Sequence, residues 1–174
     1  NVNIDIIENG GVIMNQTIKD IQNRRSVKAY RSEQIKDEEL MEVINAGMNA
    51  PSGMNKQSPI IIAVQNKEWI KKLSKMNAEI LGAEKGHDPF YGAPTIILVC
   101  ADKNRNTAVQ DASLVLGNMF NAAYSLGLAA CWINRIYETF ETELSKQLLK
   151  EAGFEGEYIG VGSCVLGYPK DGFP

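Results

Sequence analysis

Apolar residues along the chain fall into two kinds of pattern, unbroken short runs and stripes at helical spacing. Residues 60–64 and 95–101 are unbroken runs rich in β-branched side chains, and runs without a polar face are typical of buried strands. Residues 129–134 and 158–166 have the same character nearer the end of the chain. The pattern therefore predicts four strands.

Apolar residues that recur at helical spacing predict helices around and between these strands. These helices cover residues 17–23, a segment that Asp37 caps and that ends before Pro51, residues 67–76, and residues 139–152 with Gly153 as the C-terminal cap.

Two segments fit neither pattern. Residues 77–92 contain three glycines and an Asp-Pro pair, which predict a mobile connection. Residues 111–128 are apolar almost all round and predict a helix of ~27 Å. Such a helix lies either at the centre of a large core or in a subunit interface, and the small size of the chain favours the interface. The irregular order of helices and strands predicts an α+β sandwich.

Composition limits the classes of function. The chain has 174 residues, enough for one domain, and we expect residues 14–174 to form it, with residues 1–13 as an N-terminal extension or arm. The net charge is −3 and the pI is about 5.3, which argues against nucleic acid and anionic membranes as partners. A basic cluster in such a chain must therefore serve a local purpose.

The cysteines indicate a reducing compartment. Cys100, Cys131 and Cys164 are odd in number, far apart and set in apolar runs, so we expect buried free thiols and neither a disulfide framework nor a zinc site. We find no apolar stretch of membrane-spanning length and no signal-peptide pattern, and expect a cytoplasmic protein.

One basic cluster does occur in the acidic chain. Residues 24–28 place Arg24, Arg25, Ser26 and Lys28 within five positions. Guanidinium groups bind phosphate oxygens with two parallel hydrogen bonds, and a serine hydroxyl adds another donor. The cluster is therefore either a phosphate site or a solvated basic turn.

A polar loop follows the second predicted helix. It holds amide and hydroxyl groups that can match the edge of a heterocycle, and a glycine that lets the backbone come close. A plain connection is the alternative. The candidate residues are Pro51, Ser52, Gly53, Met54, Asn55 and Gln57.

Together these segments are specific. The order of residues 24–28, residues 51–57, the helix 111–128 leading into residues 131–133, and residues 165–169 resembles the FMN-dependent nitroreductase family. The resemblance covers roughly residues 17–169. It implies a three-layer sandwich with a mixed, mostly antiparallel sheet flanked by helices, assembled as a domain-swapped-style homodimer.

The resemblance also implies roles for the basic cluster. Arg24 and Ser26 match residues that hold the phosphate and ribityl chain of FMN, with Arg25 beside them. Lys28 matches a basic residue near the pyrimidine end of the flavin. In the family the flavin performs the chemistry, so no catalytic side chain and no metal is expected.

Two further segments would contact a flavin in the dimer. The loop 51–57 would reach the flavin of the partner subunit, chiefly through Ser52, Asn55 and Gln57. The end of the third strand would pass the ring, with the backbone N–H of Asn134 or Arg135 near its N5 atom. The candidates in this strand end are Cys131, Trp132, Ile133, Asn134 and Arg135.

The sequence departs from the family pattern in three places. Gln57 is followed by Ser-Pro, and Arg135 stands where a glycine is common. The sequence printed ends at Pro174, before the basic tail that helps to grip the phosphate in the family. We therefore expect either a continuation that supplies the tail or weaker phosphate binding.

The implied function is transfer of electrons from NADH or NADPH through FMN to a nitroaromatic, quinone or similar acceptor, by a ping-pong mechanism. Dehalogenation, enone reduction and flavin destruction are alternatives on the same fold, as is a non-catalytic flavin-binding or structural dimer. We expect His87 to be an exposed loop residue, with proton donation to the acceptor as the alternative. Trp132 is expected either beside the flavin or in the core.

Overall fold

The sheet is built from the four segments that the apolar runs predict. The computed structural model describes residues 15–174, so the predicted extension over residues 1–13 lies outside the described residues. Neighbouring strands are antiparallel, and the order across the sheet is β1-β2-β4-β3. The strands are β1 (Pro59–Val64), β2 (Thr95–Asp102), β3 (Ala129–Ile133) and β4 (Tyr158–Gly167).

Helices lie on both faces of this sheet. They are α1 (Gln16–Asn23), α2 (Asp37–Met48), α3 (Lys67–Leu81), α4 (Ala108–Ser125), α5 (Ile136–Thr139) and α6 (Glu143–Glu151), with a short 3₁₀ turn over Gly53–Asn55.

Strand β2 separates two hydrophobic cores by the alternation of its side chains. Ile97 and Val99 point to the face that α2 and α4 cover. Ile96 and Leu98 point to the other face, which α3, α5 and α6 cover. All four side chains are fully buried. The expected three-layer α+β sandwich is thereby confirmed.

The central helix lies about three residues earlier than predicted. Helix α4 spans Ala108–Ser125 instead of residues 111–128, because Leu126 and Gly127, the latter with a φ of 75°, form the turn into β3. Its buried face belongs to the core beneath α2, so the helix is first of all a core element. Val109 and Leu114 remain about half exposed on its other side.

Two other predicted helix boundaries were wrong. Asp37 is the first residue of α2 and not its cap; the cap position is Lys36, whose N–H donates to the Glu39 carboxylate at 3.0 Å. Helix α3 continues through the first residues of the predicted connection, because good helix formers follow until Gly82 takes a φ of 65°.

The predicted helix over residues 139–152 is two helices, α5 and α6. The break follows from local competition for backbone groups, since the Thr142 hydroxyl donates to the Thr139 carbonyl at 2.7 Å and the Ser145 hydroxyl to the Phe140 carbonyl at 3.0 Å. Gly153 follows α6 with a φ of 77°, in the left-handed conformation that ends a helix.

The three cysteines are buried and free, as expected from their apolar neighbours. Within residues 15–174, no helix has the length and apolar character needed to cross a membrane.

Candidate functional site

The basic turn is fixed to the margin of the sheet by its backbone. Helix α1 ends before Arg24, and the chain then runs beside β3, where the Val27 N–H donates to the Ala130 carbonyl at 3.2 Å. The Val27 side chain is buried in the core. Because side chains alternate along an extended segment, its neighbours Ser26 and Lys28 are exposed.

The two adjacent arginines have different surroundings. Arg24 is partly buried, and its Cζ lies 5.9 Å from the centre of the Phe120 ring. Arg25 is exposed and folds back, with Nη1 donating to the carbonyls of Gln22 at 2.8 Å and Arg24 at 2.9 Å. Within residues 15–174 the Arg24 side chain forms no hydrogen bond and no ion pair, so its donors are available, whereas those of Arg25 are partly used.

Lys28 meets a loop on the other side of the turn. Its Nζ lies 5.5 Å from the centre of the Tyr91 ring, which is a cation–π contact. Tyr91 has a φ of 55°, an uncommon conformation for a bulky residue. The Asp88 carboxylate holds this loop by accepting from the N–H groups of Phe90 at 3.0 Å and Gly92 at 2.7 Å.

The end of β3 alternates between the two cores. Cys131 and Ile133 are buried on the side of α3, so Cys131 is packed as expected. Trp132 lies on the side of α4, with its ring centre 6.1 Å from that of Phe120. Its Nε1 donates to the Asn134 Oδ1 at 3.3 Å. Trp132 is therefore a partly buried residue at the edge of the core that carries Arg24.

The positive charge of Arg24 influences the Cys164 thiol in β4. Burial raises the pKa of the Cys164 thiol well above its ordinary value, the nearby Cys131 adds to this, and Arg24 acts in the opposite direction. The thiol stays protonated, so a guanidinium over this end of the sheet has no anionic partner in Cys164.

The polar loop is anchored to the start of α4. The Gly53 N–H donates to one Asp111 carboxylate oxygen at 2.9 Å, and the Thr107 hydroxyl donates to the other at 2.8 Å. A Cβ atom on Gly53 would lie 2.5 Å from the Thr107 Oγ1, so the close approach requires glycine. Pro51 precedes this anchor and is exposed.

Beyond the anchor, the loop has an unusual backbone. Met54, Asn55 and Gln57 have φ values of 52°, 53° and 49°, a region that few non-glycine residues adopt. The Gln57 N–H donates to the Ser52 hydroxyl at 2.8 Å, and its Nε2 donates to the Asn55 Oδ1 at 3.0 Å. The loop therefore presents ordered amide groups, with Met54 81% exposed at its tip.

A cavity of about 370 Å³ opens beside this loop, between α2 and β1. Ser52 and Gln57 line its polar side, and Ile44, Ile61 and Val115 line its apolar side. An apolar cavity with a few ordered polar groups is typical of sites that bind small molecules.

The basic turn and the polar loop lie on opposite sides of α4. The loop is anchored at Asp111, and Arg24 rests on Phe120, nine residues further along the helix. Nine residues span about 14 Å along a helix and about two and a half turns around it. In one chain the basic turn and the polar loop therefore contact α4 at well-separated positions.

Sequence patterns did not reveal several contributors to the site. Phe120 and Tyr91 carry no motif, and only the folded chain brings them to Arg24 and Lys28. Asp111 was detectable in principle, because it is a single acid in an otherwise apolar helix and is buried there. His87 is exposed in a turn, where a role in proton donation stays an untested prediction.

These features define an α+β sandwich with two cores, a basic turn on one side of its central helix and an ordered polar loop on the other. Comparison with known proteins identifies the family. The Nitroreductase family model matches residues 21–171. The chain belongs to the nitroreductase family and is an oxidoreductase.

Individual relatives agree with this assignment. The chain is 31% identical over 180 residues to an FMN reductase (NAD(P)H) from Bacillus subtilis. This alignment covers 91% of this chain and 68% of the relative. A nitroreductase with bound FMN from Bacteroides fragilis has a TM-score of 0.84 and 30% identity, over 92% of both chains. Another from Desulfitobacterium hafniense, also with bound FMN, has a TM-score of 0.82 and 29% identity, over 91% of both chains.

Proposed function

We propose that this protein is an FMN-dependent oxidoreductase that transfers electrons from NADH or NADPH to a nitroaromatic, quinone or similar acceptor. The main observation behind the proposal is the environment of the Arg24 side chain. Its guanidinium stacks on Phe120 and has no hydrogen-bond or ion-pair partner within residues 15–174, so its donors are available to a phosphate.

The surroundings of Arg24 fit the phosphate of FMN. Ser26 lies two residues away on the same exposed side of the turn and can add a hydroxyl donor. Arg25 is a weaker candidate, because its guanidinium already donates to two backbone carbonyls. We assign the phosphate to Arg24 and Ser26, with Arg25 contributing long-range positive charge.

Lys28 and the end of β3 fit the ring of the flavin. Bound FMN accepts a hydride from the reduced nicotinamide and later passes its electrons to the acceptor. Lys28 supplies positive charge that stabilises a negative pyrimidine end. The backbone N–H of Asn134 or Arg135, just after β3, would donate to the N5 edge. The Arg135 side chain pairs with Glu138 at 2.9 Å, which leaves the backbone as the contributor.

A second copy of the chain would complete each site. The loop with Ser52, Asn55 and Gln57 is anchored at Asp111. Along α4, Asp111 lies about 14 Å from Phe120, where Arg24 rests, and on the opposite side of the helix. One chain therefore offers two half-sites that face different ways, and a twofold homodimer can pair the turn of one protomer with the loop of its partner. Half-exposed apolar residues on α1 and α4 supply a surface for it: Ile18, Ile21, Val109 and Leu114.

The donor and the acceptor would use the same face of the flavin in turn. This arrangement predicts ping-pong kinetics, with parallel double-reciprocal lines when NADH or NADPH is varied at several acceptor concentrations. Intersecting lines would require both substrates to be bound together and would contradict this part of the proposal.

Substitution of each arginine tests the phosphate assignment. Arg24→Ala removes charge-assisted bonds worth ~1.5–3 kcal/mol, so we expect FMN affinity to fall roughly tenfold to a hundredfold. Arg25→Ala makes the same change of charge one residue away and should weaken FMN much less. Equal losses in the two variants, or unchanged affinity in Arg24→Ala, would show that the phosphate lies elsewhere.

Complementation tests the shared site. Arg24→Ala removes the phosphate ligand of the turn, and Asn55→Ala/Gln57→Ala removes the amide groups of the loop. A homodimer of either variant should therefore be impaired at both of its sites. In a heterodimer the intact turn of one chain meets the intact loop of the other, and co-refolding at equal amounts should restore about a quarter of wild-type sites. No recovery, in mixtures shown to contain heterodimer, would mean that one chain supplies both elements.

A further inference from the structure

A cavity of about 710 Å³ lies at one end of the sheet, apart from both half-sites. The first two turns of α3, residues 32–34 and the loop 88–94 form its walls. None of the residues predicted to contact the flavin lines it. Its volume is within the range of sites that bind small organic molecules, roughly 300–1,000 Å³.

Two lysines stand on one side of this cavity. Lys67 and Lys71 are four residues apart on α3, so their side chains leave the same face of the helix. Within residues 15–174, neither forms an ion pair with a carboxylate. This is a paired positive charge on a protein whose net charge is −3.

The acid in the lining is engaged elsewhere. The Asp88 carboxylate accepts from the Ser74 hydroxyl at 2.6 Å, the Phe90 N–H at 3.0 Å and the Gly92 N–H at 2.7 Å. These bonds turn its oxygens toward the loop that it holds in place. Two lysines and one carboxylate leave the lining with a net charge of +1.

The remaining walls combine apolar and amide groups. Ile70, Ala93 and Pro94 form an apolar side. Gln34 and Gln65 flank it, and the Nε2 of each donates to the hydroxyl of Thr95, at 3.0 Å and 3.2 Å. Thr95 is fully buried, so the two amides are held in fixed positions at the cavity edge.

We propose that this cavity is a binding site for a small organic anion, with its carboxylate or sulfonate group between Lys67 and Lys71 and its apolar body against Ile70, Ala93 and Pro94. The apolar wall favours an organic anion over inorganic phosphate, which would leave that wall uncovered. This site is distinct from the flavin site and does not depend on it.

The loop between the two sites links them. Its Asp88, Gly92, Ala93 and Pro94 face the cavity, while its Tyr91 ring lies 5.5 Å from the Nζ of Lys28. A ligand in the cavity contacts the side of this loop opposite to Lys28 and alters the position of Tyr91. We therefore expect occupancy to change the environment of Lys28; this consequence, unlike the binding itself, rests on the proposed function.

Titration with 2-naphthoate tests the site, because it joins a flat apolar body to one carboxylate. The probe would be titrated calorimetrically into FMN-loaded wild type and Lys67→Gln/Lys71→Gln. Loss of both cations should weaken binding at least about tenfold. Lys72→Gln/Lys75→Gln makes the same change of net charge at two α3 lysines that do not line the cavity, and this variant should bind as wild type does. The neutral 2-naphthamide should bind wild type more weakly than 2-naphthoate does. Its affinity should be the same for the two lysine double variants.

Equal 2-naphthoate affinity in wild type and Lys67→Gln/Lys71→Gln would overturn the proposal, as would an equal loss in the control. Binding that disappears in Arg24→Ala but persists in Lys67→Gln/Lys71→Gln would place the probe in the flavin half-site, which also overturns it. FMN affinity measured on the same variants keeps the two proposals separate, because both lysine variants should bind FMN normally. If 2-naphthoate binding depends on the lysines but does not change the flavin absorbance spectrum, the binding site stands and only the proposed link through Tyr91 is overturned.

Discussion

The guanidinium of Arg24 lies over the ring of Phe120, with its Cζ 5.9 Å from the ring centre. Phe120 in turn contacts Trp132, at 6.1 Å between ring centres. The guanidinium therefore rests on an aromatic surface that is itself held in the core. A side chain restricted in this way loses less conformational entropy when it binds a phosphate.

Phe120→Leu should therefore weaken FMN more than it weakens riboflavin. The substitution keeps an apolar side chain but removes the ring quadrupole beneath Arg24, an effect of about 1 kcal/mol or roughly fivefold in affinity. Quenching of flavin fluorescence would give both dissociation constants. Riboflavin has no phosphate, so a purely structural defect would weaken both ligands alike. Phe120→Tyr retains an aromatic ring and should retain the preference for FMN.

The buried carboxylate of Asp111 should hold the polar loop in place. It accepts from the Gly53 N–H and the Thr107 hydroxyl and is only 3% exposed. Asp111→Ala leaves both donors without a partner, and we expect a loss of about 2–3 kcal/mol in the free energy of unfolding. Urea denaturation measures it. Gln110→Ala, at an exposed neighbouring position on α4, should change stability by less than about 0.5 kcal/mol.

If the loop completes the flavin site of a partner, Asp111→Ala should also lower FMN affinity at temperatures where the variant is fully folded. Normal FMN affinity in a destabilised Asp111→Ala would separate the loop's structural role from its proposed role in binding.

The sequence was most informative where one physical effect dominates. Strand β2 is short and buried on both faces, so the run of residues 95–101 has no other stable environment. Helix ends depend on smaller competing effects. The predicted helix over residues 139–152 divides because Thr142 and Ser145 bond to nearby carbonyls, and such bonds are comparable in free energy to the helical bonds that they replace.

The same contrast applies to the candidate site. Arg24 and Ser26 were candidates from the sequence because guanidinium and hydroxyl groups clustered in an acidic chain favour an anionic ligand, and their role in binding stays a prediction. The different states of Arg24 and Arg25 were not, because they depend on Phe120, which is 96 positions from Arg24 along the chain and is brought close only by packing of α1 against α4. Contacts of this kind follow from the fold and leave no local pattern.

Gly162 should be needed for the position of Trp132. A Cβ at this site would lie 2.7 Å from the Trp132 ring and 2.9 Å from the Leu116 Cδ1. Gly162→Ala therefore forces the strand or the ring to move, and we expect a loss of about 1–3 kcal/mol in the free energy of unfolding, with a changed tryptophan emission spectrum. Gly117→Ala is the matched control.

At Gly117, on α4, a Cβ would meet nothing within 4 Å. Alanine there should raise stability by about 0.5–1 kcal/mol, because it restricts the unfolded chain and favours the helix. A Gly162→Ala protein as stable as wild type, with unchanged emission, would show that the strand accommodates the methyl group without moving Trp132.

The pair Glu39 and Tyr168 should make stability depend on pH. The Tyr168 hydroxyl donates to the Glu39 Oε2 at 2.6 Å and joins α2 to the segment after β4. Burial acts to raise the pKa of Glu39, but the hydrogen bonds from Tyr168 and from the Lys36 N–H outweigh it and hold the pKa below the ordinary 4.5. A carboxyl group whose pKa is lower in the folded state stabilises the protein fully above its unfolded pKa. That stability is lost as the pH falls through the folded value.

Tyr168→Phe removes only the hydroxyl, so it should reduce the free energy of unfolding at pH 7 and raise the pKa of Glu39. The difference from wild type should shrink as the pH is lowered from about 4.5 through the folded pKa of Glu39, where both proteins carry a neutral carboxyl group. Urea denaturation between pH 7 and pH 3 would measure this difference. Tyr137→Phe makes the same chemical change at a side chain that is 50% exposed, and it should show no such pH dependence. A Tyr168→Phe difference that is constant across this range would mean that the hydroxyl acts through packing and not through the charge of Glu39.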